Sequence, residues 1–423
     1  MKLHIENFAK IANADIEING ITVIAGENGT GKSTVSKVLY STFDTFFELE
    51  KKLNSIKINA LSRRLERYLD FQDDLFSFKK VREVIREIVH HIIDQFNIDM
   101  TLEEYENKLC TIIKDLGATI HDMDDYAKYS YEILSTKKIE EIETFLANNI
   151  LREIGSISSL YTKKDMSVNL QIQNDCIHFT YHQHDDEFNV YKYIPLSKQA
   201  IYYDDPNVID YLNRSFHIMQ SRLNYLDHNE KLSFLLRNDV QNTNMYEEIV
   251  NRKNLQTLQE ELKEIVNGDF IEEDDEIKFK SSDLEDGFKL QSLSSGLKGM
   301  SVLLRLIECG KLEEKGTIIL DEPEIHLHPK WQLNYAEMLV KLQKILNLHI
   351  LVSTHSPYFI NAIEVYSAKY EIADKCKYYL SNLNDSNMVI FEDVTRNTEK
   401  IFQKLAEPFQ ELADLEAEVM END

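Results

Sequence analysis

The pattern of apolar and polar positions changes character along the chain. It opens on short runs, KLHIENF and ANADIEI, that alternate apolar with polar on either side of a turn. Both are expected as strands with one covered face. ITVIAG is a continuous apolar run, as in a strand buried on both faces, and it leads into GENGTGKSTVSKVLY, a glycine-rich loop followed by helical spacing. From about residue 42 to residue 151 the rhythm is three and four, clearest in VREVIREIVHHIIDQF, without proline; roughly four or five amphipathic helices are expected there. Near Ile157 the alternation returns. SVNLQIQ, CIHFTYHQ and EFNVYKY read as antiparallel strands with turns at NDC and HDDE. SKQAIYYDDP reads as a further strand, MYEEIVNRKNLQTLQEELKEIV as a polar helix, and EIKFKSS with GFKLQS as a hairpin. Past Ser292 the expected order is a helix from about Ser295, the strand GTIIL, a helix from Pro329, the strand LHILVS and a helix from Pro357. The strands KYYLS and MVIFEDV and the helix TEKIFQKLAEPFQELADLEAEV follow.

Composition adds bounds. A chain of 423 residues suits two domains, or one domain carrying a large insertion, and 43% hydrophobic residues can build a sizeable core. The 12 glycines and 6 prolines are too few for long disordered linkers. A formal net charge of −26 repels nucleic acid and anionic membrane at long range, so any DNA contact needs a local basic patch or a partner. Cys110, Cys176, Cys309 and Cys376 are scattered, as expected of reduced thiols in a cytoplasmic protein. The opening MKLHIENFAK meets charge before any apolar run, unlike a secretory signal, and no apolar stretch reaches the ~20 residues of a membrane span.

Four tracts carry candidate chemistry. GENGTGKS fits G-x-x-x-x-G-K-[ST], and it follows a buried-strand pattern and opens a helix, the context a phosphate cradle requires. Asn28, Gly29, Thr30 and Gly31 form the loop whose backbone N–H groups would surround phosphate oxygens. Lys32 would reach the β- and γ-phosphates of ATP, Ser33 would bind Mg²⁺, and Thr34 would reach the α-phosphate. In GTIILDEPEIHLHP a central strand ends on Asp321, placed to hold Mg²⁺ through water, and Glu322 follows as the base for an attacking water. LSSGLKG offers Ser294 and Gly296 at the mouth of a helix, and LVSTHSP places His355 at a strand end, where an imidazole can sense a phosphate and orient water.

In this order the tracts resemble the AAA-like ABC ATPases of the OLD, RecF and SMC group. DEPEIHLHP is the most telling, because transporter ATPases usually continue from the acidic pair to leucine-aspartate. LSSGLKG resembles the ABC signature, with Ser295 where a glycine is usual and Leu297 where a glutamine is usual. His355 resembles the switch histidine. The resemblance is strong over residues 1–42 and 293–363 and weak over 200–210. It implies an α/β fold: an ABC-type P-loop ATPase with a mixed sheet, a helical insertion and a small β-rich lobe. Residues 1–42 and 155–423 would form a discontinuous ATPase domain, and 43–154 the insertion. It also implies that Lys32, Ser33, Asp321, Glu322 and His355 act in one chain while Ser294 and Gly296 complete the site of a second copy, with ATP and Mg²⁺ as cofactors. No sustained heptad marks the insertion, so a long SMC coiled coil is not expected.

OLD nucleases continue into a Toprim domain. The stretch after His355 is too short for one and lacks its acidic D-x-D strand end. The expectation is therefore the ATPase subunit of a split anti-phage system of the Septu or PARIS kind. It would control a separately encoded effector, with a nucleic acid or phage protein as trigger and no membrane. A RecF- or SMC-like DNA-repair or clamp ATPase is the alternative, and a transporter motor would lack the insertion. Blander readings hold elsewhere. Arg86 and His91 fit the R-x-x-x-x-H of HEPN ribonucleases, but in a charge-rich region coincidence is easy. Glu276-Ile277-Lys278 reads as an exposed charged strand and the 182–187 cluster of His, Asp and Glu as a solvated turn. His326 and His328 are expected to shape a loop. The basic stretch of Lys51, Lys52, Lys57, Arg63, Arg64 and Arg67 reads as a solvated helix face. The stripe of Ile401, Leu405, Phe409, Leu412 and Leu415 would dock on its own domain or on another subunit.

Overall fold

Alternation at the start of the chain becomes an antiparallel pair, β1 (Lys2–Phe8) and β2 (Ile11–Glu17). Leu3, Ile5 and Phe8 stand opposite Ile16, Ala14 and Ile11, all six buried. β3 (Ile21–Ala25) is buried at every position, and α1 (Lys32–Phe46) follows the glycine-rich loop. The structure is a computed structural model that describes residues 1–70, 78–115, 119–155, 163–214, 223–237, 245–273 and 276–421. It divides into two compact units, Met1–Phe47 with Leu146–Asp423, and Glu48–Phe145.

The smaller unit contains α2 (Leu49–Leu65), α3 (Phe78–Gln95), α4 (Leu102–Asp115), α5 (Met123–Ser135) and the first turns of α6 (Lys138–Ile154). Its core gathers Leu61 and Leu65 of α2, Ile85, Ile88, Val89 and Ile92 of α3, Leu109 of α4 and Tyr126 of α5. The α3 residues recur at intervals of three and four, which is why one stripe of that helix is buried. Two short strands that the helical rhythm conceals, β4 (Leu69–Asp70) and β5 (Thr119–Ile120), pair antiparallel. Each is too short to show a period of its own.

The larger unit continues through β6 (Met166–Ile172), β7 (Asp175–His182), β8 (Glu187–Lys192), β9 (Ala200–Tyr203), α7 (His228–Leu235) and α8 (Met245–Val266). The hairpin strands β10 (Gly268–Glu273), β11 (Glu276–Ser281) and β12 (Phe288–Lys289) come next, then α9 (Ser295–Glu308), β13 (Thr317–Asp321), α10 (Pro329–Leu346) and β14 (His349–Thr354). α11 (Pro357–Lys369), β15 (Cys376–Leu383), β16 (Val389–Asp393) and α12 (Glu399–Glu421) complete the described chain.

One 11-stranded mixed sheet runs β8-β7-β6-β1-β2-β16-β15-β3-β14-β13-β9. β9, β13, β14, β3 and β15 are mutually parallel and form one end of it, with β9 at the edge. The antiparallel strands read as part of a β-rich lobe join this sheet, because β6 pairs along β1 with Leu170 opposite Leu3 and Val168 opposite Ile5. The separate three-stranded sheet adds β10 to the expected hairpin. GDFIEE carries more acid than apolar side chain, yet Phe270 meets the Phe279 ring edge-on at 5.6 Å, and that contact sets the strand. Among the described residues no helix is long and apolar enough to cross a membrane.

Candidate functional site

Three loops leave the carboxyl ends of the neighbouring parallel strands β3, β14 and β13. In an open α/β sheet this edge is where ligands bind. The loop after β3 needs its glycines. Gly26 has φ 152°, and a Cβ there would fall 2.0 Å from Ser381 Oγ on β15. Gly31, at φ 74°, precedes α1 with Ile11 Cγ1 3.1 Å from where its Cβ would lie. The Thr30 hydroxyl donates to the Glu27 carbonyl at 2.7 Å and pairs with Ser381 Oγ at 2.6 Å. Lys32 is buried, and its Nζ donates to the carbonyls of Gly26 at 2.9 Å and Glu27 at 2.8 Å. Burial holds its pKa below the usual lysine value, while Glu322, Asp321, Glu324 and Glu27 oppose that shift. Asn28, Gly29 and Ser33 are exposed and Thr34 is half-buried, on the open side of the loop. Behind them, Ser36 Oγ meets Ser353 Oγ at 2.9 Å and fixes α1 against β14.

Asp321 ends β13 in a buried position. Its Oδ2 accepts from Tyr202 Oη at 3.3 Å, and its Oδ1 has no hydrogen-bond partner. Burial raises its pKa, the Ser33 hydroxyl draws it back, and the charges of Glu322 and Asp204 push it up again. A buried carboxylate oxygen without a proton donor, beside a serine hydroxyl, is a donor set that fits a hard divalent cation. The backbone turns at Glu322, whose φ is 50° and whose N–H donates to Ser353 O at 2.8 Å. Its carboxylate Oε1 lies 3.2 Å from His355 Nδ1. These two side chains stay partly open, 22% exposed for Glu322 and 44% for His355.

Ser294 and Gly296 stand at the start of α9. Ser294 caps α9, its Oγ accepting from Leu297 N at 3.4 Å, and a Cβ on Gly296 would meet His326 O at 3.0 Å. Their loop therefore packs on the HLH turn, and among the described residues no hydrogen bond or ion pair joins either to residues 26–34. His328 caps α10 by accepting from Lys330 N at 3.3 Å, just ahead of Pro329.

Sequence reasoning passed over several residues here. Glu324 is buried, accepts from the Thr354 hydroxyl, and keeps Oε2 without a partner; burial raises its pKa. Its only signal is its place in DEPEIHLHP. Tyr202, Ser381 and Ser353 look like ordinary strand residues in sequence. Beyond Tyr202 lies a buried ionic cluster. His228 pairs through Nδ1 with Glu153 and through Nε2 with Asp204 at 2.9 Å, its ring 4.5 Å from that of Tyr202. Burial pulls the His228 pKa down, but the bonds and charges of Asp204 and Glu153 outweigh it and raise it to about 9.

The remaining candidates lie on other elements. In the helical unit His91 Nδ1 lies 3.0 Å from Glu87 O, while Arg86 lines a groove with Lys51, Asn54, His90 and Asp94. Of the basic stretch, Lys51 pairs with Glu48, Lys57 with Glu141 at 2.7 Å and Arg64 with Asp125 at 2.6 Å. His182 pairs with Asp165 and His184 with Asp185, each at 2.8 Å, and Lys278 with Glu273 at 3.2 Å.

A family model described as AAA ATPase domain matches residues 1–360. The chain is 23% identical over 398 residues to the retron Vc95 probable ATPase of Vibrio cholerae serotype O1 biovar El Tor, covering 85% of this chain and 70% of that protein. It is 28% identical over 127 residues to the retron Ec83 probable ATPase of Escherichia coli, covering 27% of this chain and 23% of that one. Among solved structures, an SMC head bound to the C-winged helix domain of ScpA aligns over 94% of this chain and 98% of its own, at 12% identity and a TM-score of 0.43. The SMC head domain from Thermotoga maritima aligns over 93% and 98%, at 10% identity and 0.39.

Proposed function

The chain belongs to the AAA ATPase domain family, and from that premise we propose that it hydrolyses ATP to ADP and phosphate, two copies closing on the nucleotide. The observation that carries this reading is the Glu322–His355 pair, 3.2 Å apart and open to solvent, beside buried Asp321 on the edge that also bears Lys32. The exposed Asn28–Gly29 stretch, Thr30, Gly31 and the first N–H groups of α1 cradle the phosphates, and Thr34 stands at the α-phosphate. Lys32 has three N–H donors and spends two on its own loop, so the third is free for a phosphate oxygen. Ser33 and Asp321 would hold Mg²⁺, which would neutralise charge on the phosphates. Glu322 takes the proton of the attacking water, and His355 orients that carboxylate and contacts the γ-phosphate. Ser294 and Gly296, not bonded to the phosphate loop of their own chain, serve the site of the second copy.

The relatives named as retron ATPases support a place in a multi-component system. We read the chain as the regulatory ATPase of a two-component anti-phage system, acting in the cytoplasm and controlling a separately encoded effector. The helical unit stands in this reading as an insertion in the ATPase domain. Acidic partners on Lys51, Lys57 and Arg64 weigh against an open nucleic-acid track along that stretch.

The test is a mixture of Ser294→Arg and Lys32→Ala chains. One composite site carries both lesions and the other neither, so phosphate release above that of each variant alone is expected. No recovery under conditions where mixed dimers form overturns the shared site.

A further inference from the structure

The surroundings of α12 change along its length. Its first turns are anchored, with Ile401 fully buried and Phe402 and Leu405 packed on the main core. Lys404 pairs with Glu27 of the phosphate loop at 3.0 Å. From Ala406 onward every described side chain is exposed. The apolar face nevertheless continues, with Leu412 57% exposed, Leu415 56% and Val419 63%. The side chain of Phe409 lies outside the described residues.

These positions keep a heptad. Leu405, Leu412 and Val419 recur at intervals of seven and take the a positions. Ile401 and Leu415 take d, and Pro408 occupies the d position between them. The face that enters the core at Ile401 is thus the same face that stands in water at Leu412 and Leu415. Exposed leucines at a and d along a solvated helix mark a surface built for a second helix.

Charge decides which helix. Glu411 falls at g and Glu416 at e, both exposed, flanking the stripe. Two copies pairing in parallel would set Glu411 of one against Glu416 of the other, five residues on. Antiparallel pairing would set each acid against its own kind. Both arrangements oppose like charges, whereas lysine or arginine at the facing e and g positions would pair with these acids. We propose that α12 beyond Pro408 is the docking surface for another protein, which contributes a basic, heptad-patterned amphipathic helix and closes a two-stranded coiled coil. This deepens the reading above by naming the surface and chemistry of the separate component, and it rests on that reading only in expecting such a component. Because Lys404 ties the same helix to Glu27, the partner would sit next to the nucleotide loop.

The experiment uses the full chain without nucleotide and a fluorescent synthetic peptide with Ile at a, Leu at d and Lys at e and g. A peptide with Glu at e and g serves as control. Anisotropy should show the Lys peptide binding at least about tenfold more tightly than the Glu peptide. Leu412→Asp with Leu415→Asp should weaken it by a further factor of roughly ten or more, and Glu411→Lys with Glu416→Lys should reverse the preference between the peptides. Equal binding of the Lys peptide before and after the leucine substitutions would reduce the contact to general attraction toward an acidic protein and overturn the proposal. So would a wild-type dimer that the leucine substitutions dissociate, since the occupant would then be a second copy. Phosphate release is followed in parallel and should be unchanged in these variants. Its absence from the wild type would defeat the ATPase reading while leaving the docking result intact.

Discussion

The helical unit 48–145 and the strand-end loops of the main sheet are built from opposite materials. The helical unit is periodic: a seam of Ile85, Ile88, Val89 and Ile92 meets Leu61, Leu109 and Tyr126, and charged side chains such as Lys57 and Arg64 pair with acids around it. The loops are aperiodic. Gly26, Gly29, Gly31, Glu322 and His326 all hold positive φ within two short segments. Among the described residues, the buried carboxylate oxygens without a partner belong to Glu153, Asp210, Asp321 and Glu324, all in the larger unit. Backbone strain and unsatisfied polarity cost stability, and the end of β13 carries both within a few residues, at Asp321, Glu322 and Glu324. The helical unit is held by a periodic apolar seam, so its residues should matter to stability before they matter to turnover.

Four measurements can break or sharpen this contrast. The largest effect is expected at Glu322. Glu322→Gln keeps the shape and removes the proposed base, so turnover should fall by roughly 10²- to 10⁴-fold with ATP binding retained. Arg86→Ala with His91→Ala should leave phosphate release within about twofold of wild type. A comparable loss in the helical variant would break the contrast. Leu109→Ala should show the reverse. Leu109 is fully buried in the helical seam, so chemical denaturation should record a loss of about 2–5 kcal/mol, while nucleotide affinity of the folded protein stays unchanged.

His228 is the third case, because its cluster links both ideas: it is buried, ionic and separated from Asp321 by the single ring of Tyr202. A pKa raised to about 9 means the folded state holds the proton more tightly than the unfolded chain. The resulting stabilisation is complete below about pH 6.5 and is lost as pH rises through about 9. The facing groups are Asp204 at the end of β9, Glu153 of α6, Asn229 of α7, and the rings of Tyr40 on α1 and Tyr202 on β9. His228→Gln should cost on the order of 2–3 kcal/mol at pH 6.5, and the gap to wild type should narrow toward pH 9.5. A gap independent of pH would mean the ring acts by packing alone. The smallest effect belongs to the Lys57–Glu141 pair. Lys57→Ala should change thermal stability by no more than about 0.2–1 kcal/mol, and less in high salt.

How much of this was legible can be judged at particular residues. The loop at Gly26–Ser33 was readable because glycine spacing is a local demand of the backbone. Asp321 and Glu322 were readable because a buried run ends abruptly in acids. The approach of Ser381 to Gly26, the hold of Tyr202 on Asp321 and the bond between Thr354 and Glu324 were not readable. They join positions 30 to 355 residues apart, and nothing in either partner's neighbourhood points to the other.

By itself, then, the sequence determined the order and type of most elements, the glycine loop, the acidic strand end and the amphipathic face of α12. Each of these is a property of a few neighbouring residues. Only the tertiary structure decided that β3, β14 and β13 lie side by side, so that Lys32, Asp321, Glu322 and His355 share one edge. It also decided that β6, β7 and β8 extend the main sheet through β1, and that α12 leaves the core after Leu405 with its apolar face uncovered. The reason is physical. Periodicity states which face of an element must be covered, because the period follows from backbone geometry. What covers that face depends on long-range packing, which a local pattern does not encode.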